Sequence, residues 1–187
     1  MQQLLSHFLQ KGIPASELEQ ITAAFKFKKI AKGDYFAEEG KVSKYLAFIT
    51  KGLFQYYYRK DGKEITTYVT GENTFLASLM SFYKQMPSKE CVRALADSEI
   101  LAIHHNDLVK LKTESHAFRT FYIKALEDLV VSMDETRTNL IILTAEERYA
   151  VLMKGEPKLL QQIPLQYLAS ILGVTPRHLS RIRNSIR

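Results

Sequence analysis

The sequence predicts an α+β protein in three parts: a β-domain preceded by short helices, one long helix, and a small helical domain on the C-terminal side. Three observations carry that prediction. Short runs rich in aromatic and β-branched residues recur between glycine-bearing turns across residues 25–112, the texture of a sandwich, barrel or roll. From Ser115 to about Leu143 apolar residues step by three or four without a break, which is the period of a helix. Residues 165–187 hold two amphipathic stretches on either side of a glycine. The expected division is residues 1–113 for the β-domain with its N-terminal helices, 114–143 for the long helix, and 144–187 for the C-terminal domain.

Within residues 1–24, Leu4, Leu5, Phe8 and Leu9, then Leu18 and Ile21, stand at helical spacing. Pro14 breaks the pattern, and Ser16 is placed to cap a second short helix. Strands are expected at 47–49, 53–58, 65–69, 92–95 and 100–103, with Asp61-Gly62 as the strongest hairpin signal. Residues 75–83 (FLASLMSFY) read instead as a short helix set among the strands. His104 and His105 are adjacent, so on a strand they face opposite ways and share no metal.

The long helix carries Phe118, Tyr122, Ala125, Leu129, Met133, Thr136, Leu140 and Leu143 on one stripe. At 1.5 Å per residue its expected length is roughly 43 Å, more than one small core covers. The stripe is broadened by Ile123, Leu126 and Val130, so one edge is expected on the β-domain and the other on a second copy, as a dimer helix. Thr144 is placed to cap a following helix that Gly155 and Pro157 end.

The chain has 187 residues and a formal net charge of +6. Between Arg148 and Arg187 there are seven basic residues and one acid, which leaves the first 147 residues balanced. Placing the whole excess in one terminal segment suggests a polyanionic partner. Cys91 is the only cysteine, which excludes an internal disulfide or an iron–sulfur cluster within the chain and leaves a small core side chain as the expectation. The five histidines form no ligand spacing, and no His-X-His occurs, so neither a metal oxygenase nor any other enzyme is supported. No apolar run approaches the roughly 18 residues of a membrane span. The N-terminus lacks a secretory core, and a cytoplasmic protein is expected.

The most informative stretch is Leu165–Arg187. Leu165, Leu168, Ala169 and Leu172 fall on one helical face, and Ala169 is small where a second helix crosses closely. Gly173 suits a sharp turn, Val174 plugs the gap, Thr175 supplies a cap oxygen, and Pro176 stands at the first helical position. Leu179, Ile182 and Ile186 form the second buried stripe. This is the layout of a helix-turn-helix. Its reading face would carry Arg177, His178, Ser180 and Arg181, with Thr175, Arg183 and Arg187 toward phosphates. Arginine at such a site can hold guanine O6 and N7 bidentately. The competing reading is an effector-binding module whose C-terminal helices make protein contacts.

These residues resemble the Crp/Fnr family of bacterial transcription regulators over nearly the whole chain. The resemblance is carried by KGDYFAEEG (32–40), KGLFQYYYRKDGKEI (51–65), Gly71-Glu72, ALADSEILAI (94–103) and LASILGVTPRHLSRI (168–182). It implies a cyclic-nucleotide-binding-like β-roll, a homodimer joined by the long helix, palindromic double-stranded DNA as ligand, and RNA polymerase as partner if the protein activates. Relatives that bind cyclic AMP carry a Gly-Glu-Leu and an Arg-Ser pair. The corresponding positions here are Ser78 with Leu79, and Ser88 with Lys89. These four mark the implied effector pocket, yet a phosphate would lack its bidentate arginine. No cofactor and no cyclic AMP is therefore expected, and the effector stays unnamed. Only about eight residues separate Lys154 from Gln162, leaving little room for a β-hairpin wing.

Overall fold

The computed structural model describes residues 1–185; Ile186 and Arg187, assigned above to the second stripe and to phosphate contact, lie outside the described residues. Helix α1 (Gln2–Gln10) and α2 (Leu18–Ala23) precede the strands β1 (Lys26–Ile30), β2 (Tyr35–Ala37), β3 (Tyr45–Lys51), β4 (Phe54–Lys60), β5 (Lys63–Thr70) and β6 (Phe75–Leu76). Helix α3 (Leu79–Lys84), β7 (Cys91–Ala94) and β8 (Ser98–His104) complete the β-domain. After them come α4 (His105–Glu114), the long α5 (His116–Ile142), α6 (Ala145–Gly155), α7 (Pro157–Gln162), α8 (Leu165–Ile171) and α9 (Pro176–Ser185).

The strands form two four-stranded sheets, ordered β1-β8-β3-β6 and β2-β7-β4-β5. Ala47, Ile49, Phe54, Val92, Ile100 and Ala102 fill the space between them. On the other face of β3 and β8, Leu46, Phe48, Leu101 and Ile103 pack on α1, α2, α4 and the start of α5. Successive strand residues point to opposite faces, so covering both faces explains why LAFI and ILAI are apolar without alternation. The hairpin β4–β5 turns at Asp61 and Gly62, both at positive φ (51° and 73°), as the Asp-Gly pair requires.

Four local expectations are corrected. Ser16 lies inside a 3-10 turn (Ala15–Glu17) that follows Pro14, so it caps nothing. Residues 75–83 divide into strand β6 and helix α3, because Phe75 and Leu76 pair with Phe48 and Ala47. The strand texture ends at His104, whose Nδ1 accepts the Asn106 N–H at 3.2 Å and opens α4; the two histidines therefore part at a strand–helix junction. Pro157, expected to end a helix, also begins α7 at its first position. Cys91 is buried in β7, as a core side chain.

Helix α5 starts on Ser115, whose Oγ accepts the Phe118 N–H at 3.0 Å. Its first turns are buried through Phe118, Phe121 and Tyr122, while Val131 (67% exposed), Ile141 (71%) and Ile142 (67%) stand free. Thr144 then forms a capping box with Glu147, stabilising α6 by about 1 kcal/mol.

Candidate DNA-reading helix and sensor cavity

Helices α8 and α9 cross at a turn built from the residues singled out by sequence. Gly173 takes φ +69°, a conformation open to glycine and costly for residues with a Cβ. The Thr175 Oγ1 accepts the His178 N–H at 3.2 Å, and Pro176 follows as the first helical residue. Leu168, Ala169, Leu172, Leu179 and Ile182 are buried in one cluster with Tyr149 of α6 and Leu160 of α7. Burying each of the large side chains favours the arrangement by roughly 2 kcal/mol.

On the outer face of α9, Arg177, Arg181 and Asn184 are exposed, and Arg183 is partly covered. The Ser180 hydroxyl donates to the Pro176 carbonyl at 3.0 Å. His178 Nε2 lies 3.1 Å from Glu146 Oε1. The Glu146 backbone N–H first, and His178 second, hold that carboxyl below the usual range. Arg148, counted above among the excess bases, is internal: it donates to the Leu143 carbonyl (2.6 Å) and the Leu172 carbonyl (2.7 Å). It thus ties the end of α5 to the end of α8. The reading domain also rests on the β-domain, since the Ser170 Oγ donates to the Thr66 carbonyl of β5 at 2.9 Å and Leu53 and Val69 join its cluster.

A cavity of about 700 Å³ lies between the second sheet, α3 and α5, within the range of small-molecule sites. Its walls are largely apolar, with five tyrosines and the carboxylate of Glu90 as the principal polar lining. Leu79 lines it directly. Ser78 and Ser88 are buried beside it, 3.0 Å apart at their Oγ atoms, and Ser78 donates to Glu90 Oε1 at 2.8 Å. Lys89 is exposed and outside the lining. Among the dimer-helix residues, Ala125, Leu129, Met133 and Leu140 line the outer cavity wall, whereas Phe118 and Tyr122 are mostly covered by their own β-domain.

Residues 27–115 match the cyclic nucleotide-binding domain family. Among solved structures, the chain is similar to a mutant of CooA from Carboxydothermus hydrogenoformans, with TM-score 0.67 and 18% identity over 89% of this chain and 78% of that one. It is similar to the c-di-GMP responsive global regulator CLP of Xanthomonas campestris, with TM-score 0.68 and 17% identity over 92% and 91%. FixK2 of Bradyrhizobium japonicum gives TM-score 0.68 and 14% identity over 87% and 84%. No match is found among curated protein sequences. The chain shares the fold of these solved structures.

The domain match makes a cyclic nucleotide the ligand to test against this cavity, and the residues present do not fit one. Glu90 stands in the segment that would cradle the phosphate, and burial pushes its carboxyl up from the ordinary range. Arg93 is engaged elsewhere, donating to Glu64 (2.6 and 3.1 Å) and to Gln55 (2.9 Å). Among the described residues no group of three or more His, Cys, Asp or Glu could hold a metal, and no helix is long and apolar enough to cross a membrane.

Sequence reasoning missed Glu90 and the tyrosines as a unit. Tyr56 and Tyr58 share a strand face by alternation, and that signal was available. Tyr83 and Tyr122 reach the same cavity from helices distant in sequence, which no local pattern reveals.

Proposed function

We propose that this protein is a transcription regulator of the Crp/Fnr type that binds palindromic double-stranded DNA as a dimer through α9, works in the cytoplasm, and answers to an effector in the β-domain cavity other than cyclic AMP. The observation that carries the reading is the helix-turn-helix itself: a closed α8–α9 core, with Arg177 and Arg181 exposed on the side away from it. Four residues apart, they share a helix face, and bidentate contact to guanine is worth about 1–3 kcal/mol per pair. Thr175, Ser180 and Arg183 are assigned to the flanking phosphates. The exposed apolar length of α5, including Met133 and Leu140, is assigned to the partner helix, which would set two reading heads about 34 Å apart. RNA polymerase is the expected partner if the regulator activates. An effector acts here by favouring one packing of the paired α5 helices over another.

The test is selection from a randomised DNA pool with the wild-type chain and the Arg177→Ala, Arg181→Ala double variant. A palindromic site is expected, enriched by the wild type and lost by the variant, with affinity falling steeply with salt. Enrichment of no sequence would move the C-terminal helices to protein contacts.

A further inference from the structure

We propose that the cavity between the second sheet and α5 binds an organic cation, its ammonium seated against Glu90 among tyrosine rings and its apolar body lying along α5. The inference rests on reading this cavity as the effector site.

The charge of Glu90 has no counterpart. Its carboxylate lines the cavity and accepts the Ser78 hydroxyl at 2.8 Å, with no ion pair to Lys, Arg or His among the described residues. Arg137, the one cation on the cavity wall, is already 2.7 Å from Asp134. A partly buried carboxylate without a cation is costly, and a ligand that brings one relieves that cost. A neutral donor would satisfy the lone pairs and leave the charge.

The rings give the second, independent argument. Tyr56, Tyr58, Tyr68, Tyr83 and Tyr122 line the same cavity. The Tyr56 hydroxyl accepts the Ala77 N–H at 3.2 Å, and the Tyr122 hydroxyl donates to that of Tyr83 at 2.7 Å. With the hydroxyls of Tyr56, Tyr83 and Tyr122 each in a hydrogen bond within the protein, these three side chains offer a ligand mainly ring surface, whose faces attract cations. Tyr122 already does so toward the Lys112 ammonium, 4.7 Å from its centroid. Tyr56 and Tyr68 stand 5.7 Å apart at their centroids, tilted by 57°. A carboxylate together with aromatic walls repels anions and favours a cation; Leu126 and Leu129 beyond them accept an apolar body.

The experiment is calorimetry on the full chain at neutral pH, without DNA, using a matched series: 2-(2-naphthyl)ethylamine, 2-(2-naphthyl)ethanol, 2-naphthylacetate, and cyclic AMP. The amine is expected to bind about tenfold more tightly than the alcohol, with the two anions weakest. Glu90→Gln should bring the amine down to the alcohol while leaving the alcohol unchanged, which shows that the cavity is still folded; Glu90→Asp should retain part of the preference. Equal binding of amine and alcohol, tighter binding of either anion, an unchanged preference in Glu90→Gln, or no amine binding at millimolar concentration would overturn the inference. Because DNA is absent, failure here leaves the regulator reading intact, and failure of the DNA selection leaves this result intact.

Discussion

Glu90 shows how one side chain can be set against the stability of its own fold. Burial raises its carboxyl in the folded chain, offset in part by the Ser78 and Tyr58 hydroxyls. A raised carboxyl means that the folded state holds the proton more tightly than the unfolded one. The group therefore favours folding below the ordinary carboxylate range and opposes it as pH rises through the folded value. Glu90→Gln should raise the melting temperature of the ligand-free protein at neutral pH, and the advantage should shrink to nothing as pH is lowered through 4, about the ordinary carboxylate value; Tyr56, Tyr58 and Tyr68, which face the same cavity, are held above the ordinary phenol range by burial and do not titrate in that window. A variant that melts lower than wild type at neutral pH would contradict this account. The sequence showed the charge at position 90 but not its burial. In the same way it counted Arg148 among the excess bases, although its guanidinium turns inward, donating through its two terminal nitrogens to the carbonyls of Leu143 and Leu172 while its Nε is buried without a partner. Composition locates charge along the chain; only packing tells which charges face inward.

Elements with their own terminal chemistry were the legible ones. The Asp61-Gly62 hairpin, the Thr144 cap, and the Gly173, Thr175 and Pro176 turn each depend on residues within four positions of one another, and each stands where it was placed. Strand β1 was missed because KFKKI lies at a sheet edge with Phe27 exposed and lysines along it, the composition by which edges resist further pairing. Helix α4 was missed because its apolar contact reduces to Leu108 and Leu111 in an otherwise polar stretch. Helix α5 was legible in extent, but its stripe serves two surfaces. Met133 (56% exposed) and Leu140 (54%) are assigned to the dimer. Met133→Asp with Leu140→Asp should convert a dimer into a monomer in sedimentation analysis, weakening DNA binding at least about tenfold. Retention of the dimer would place the interface elsewhere.

At the scale of the molecule, the sequence gives three parts in order, whereas the structure joins the first and last through one cluster. Leu53 and Val69 of the β-domain are buried with Leu168, Leu172 and Leu179 of the C-terminal helices, and Gly71 leaves room for Leu159, which a Cβ there would meet at 3.3 Å. No periodicity within residues 144–187 discloses that their core includes strand residues. The two ends should therefore melt together, as one calorimetric transition observed equally by tyrosine fluorescence and far-ultraviolet circular dichroism. Two separated transitions would show that the shared cluster contributes little.

The connection between α5 and α8 has a mechanical meaning. Helix α5 has 27 residues, so it is a rod of roughly 40 Å, and Arg148 links its far end to the C-terminal helical domain through two hydrogen bonds. Tilting a rod of that length by about 5° moves its tip by roughly 3.5 Å, close to the rise of roughly 3.4 Å between successive base pairs. Were the C-terminal helices to bind DNA as proposed, a displacement at the cavity wall too small to alter the β-domain visibly would be magnified, at the other end of the lever, into a shift of one step along the double helix.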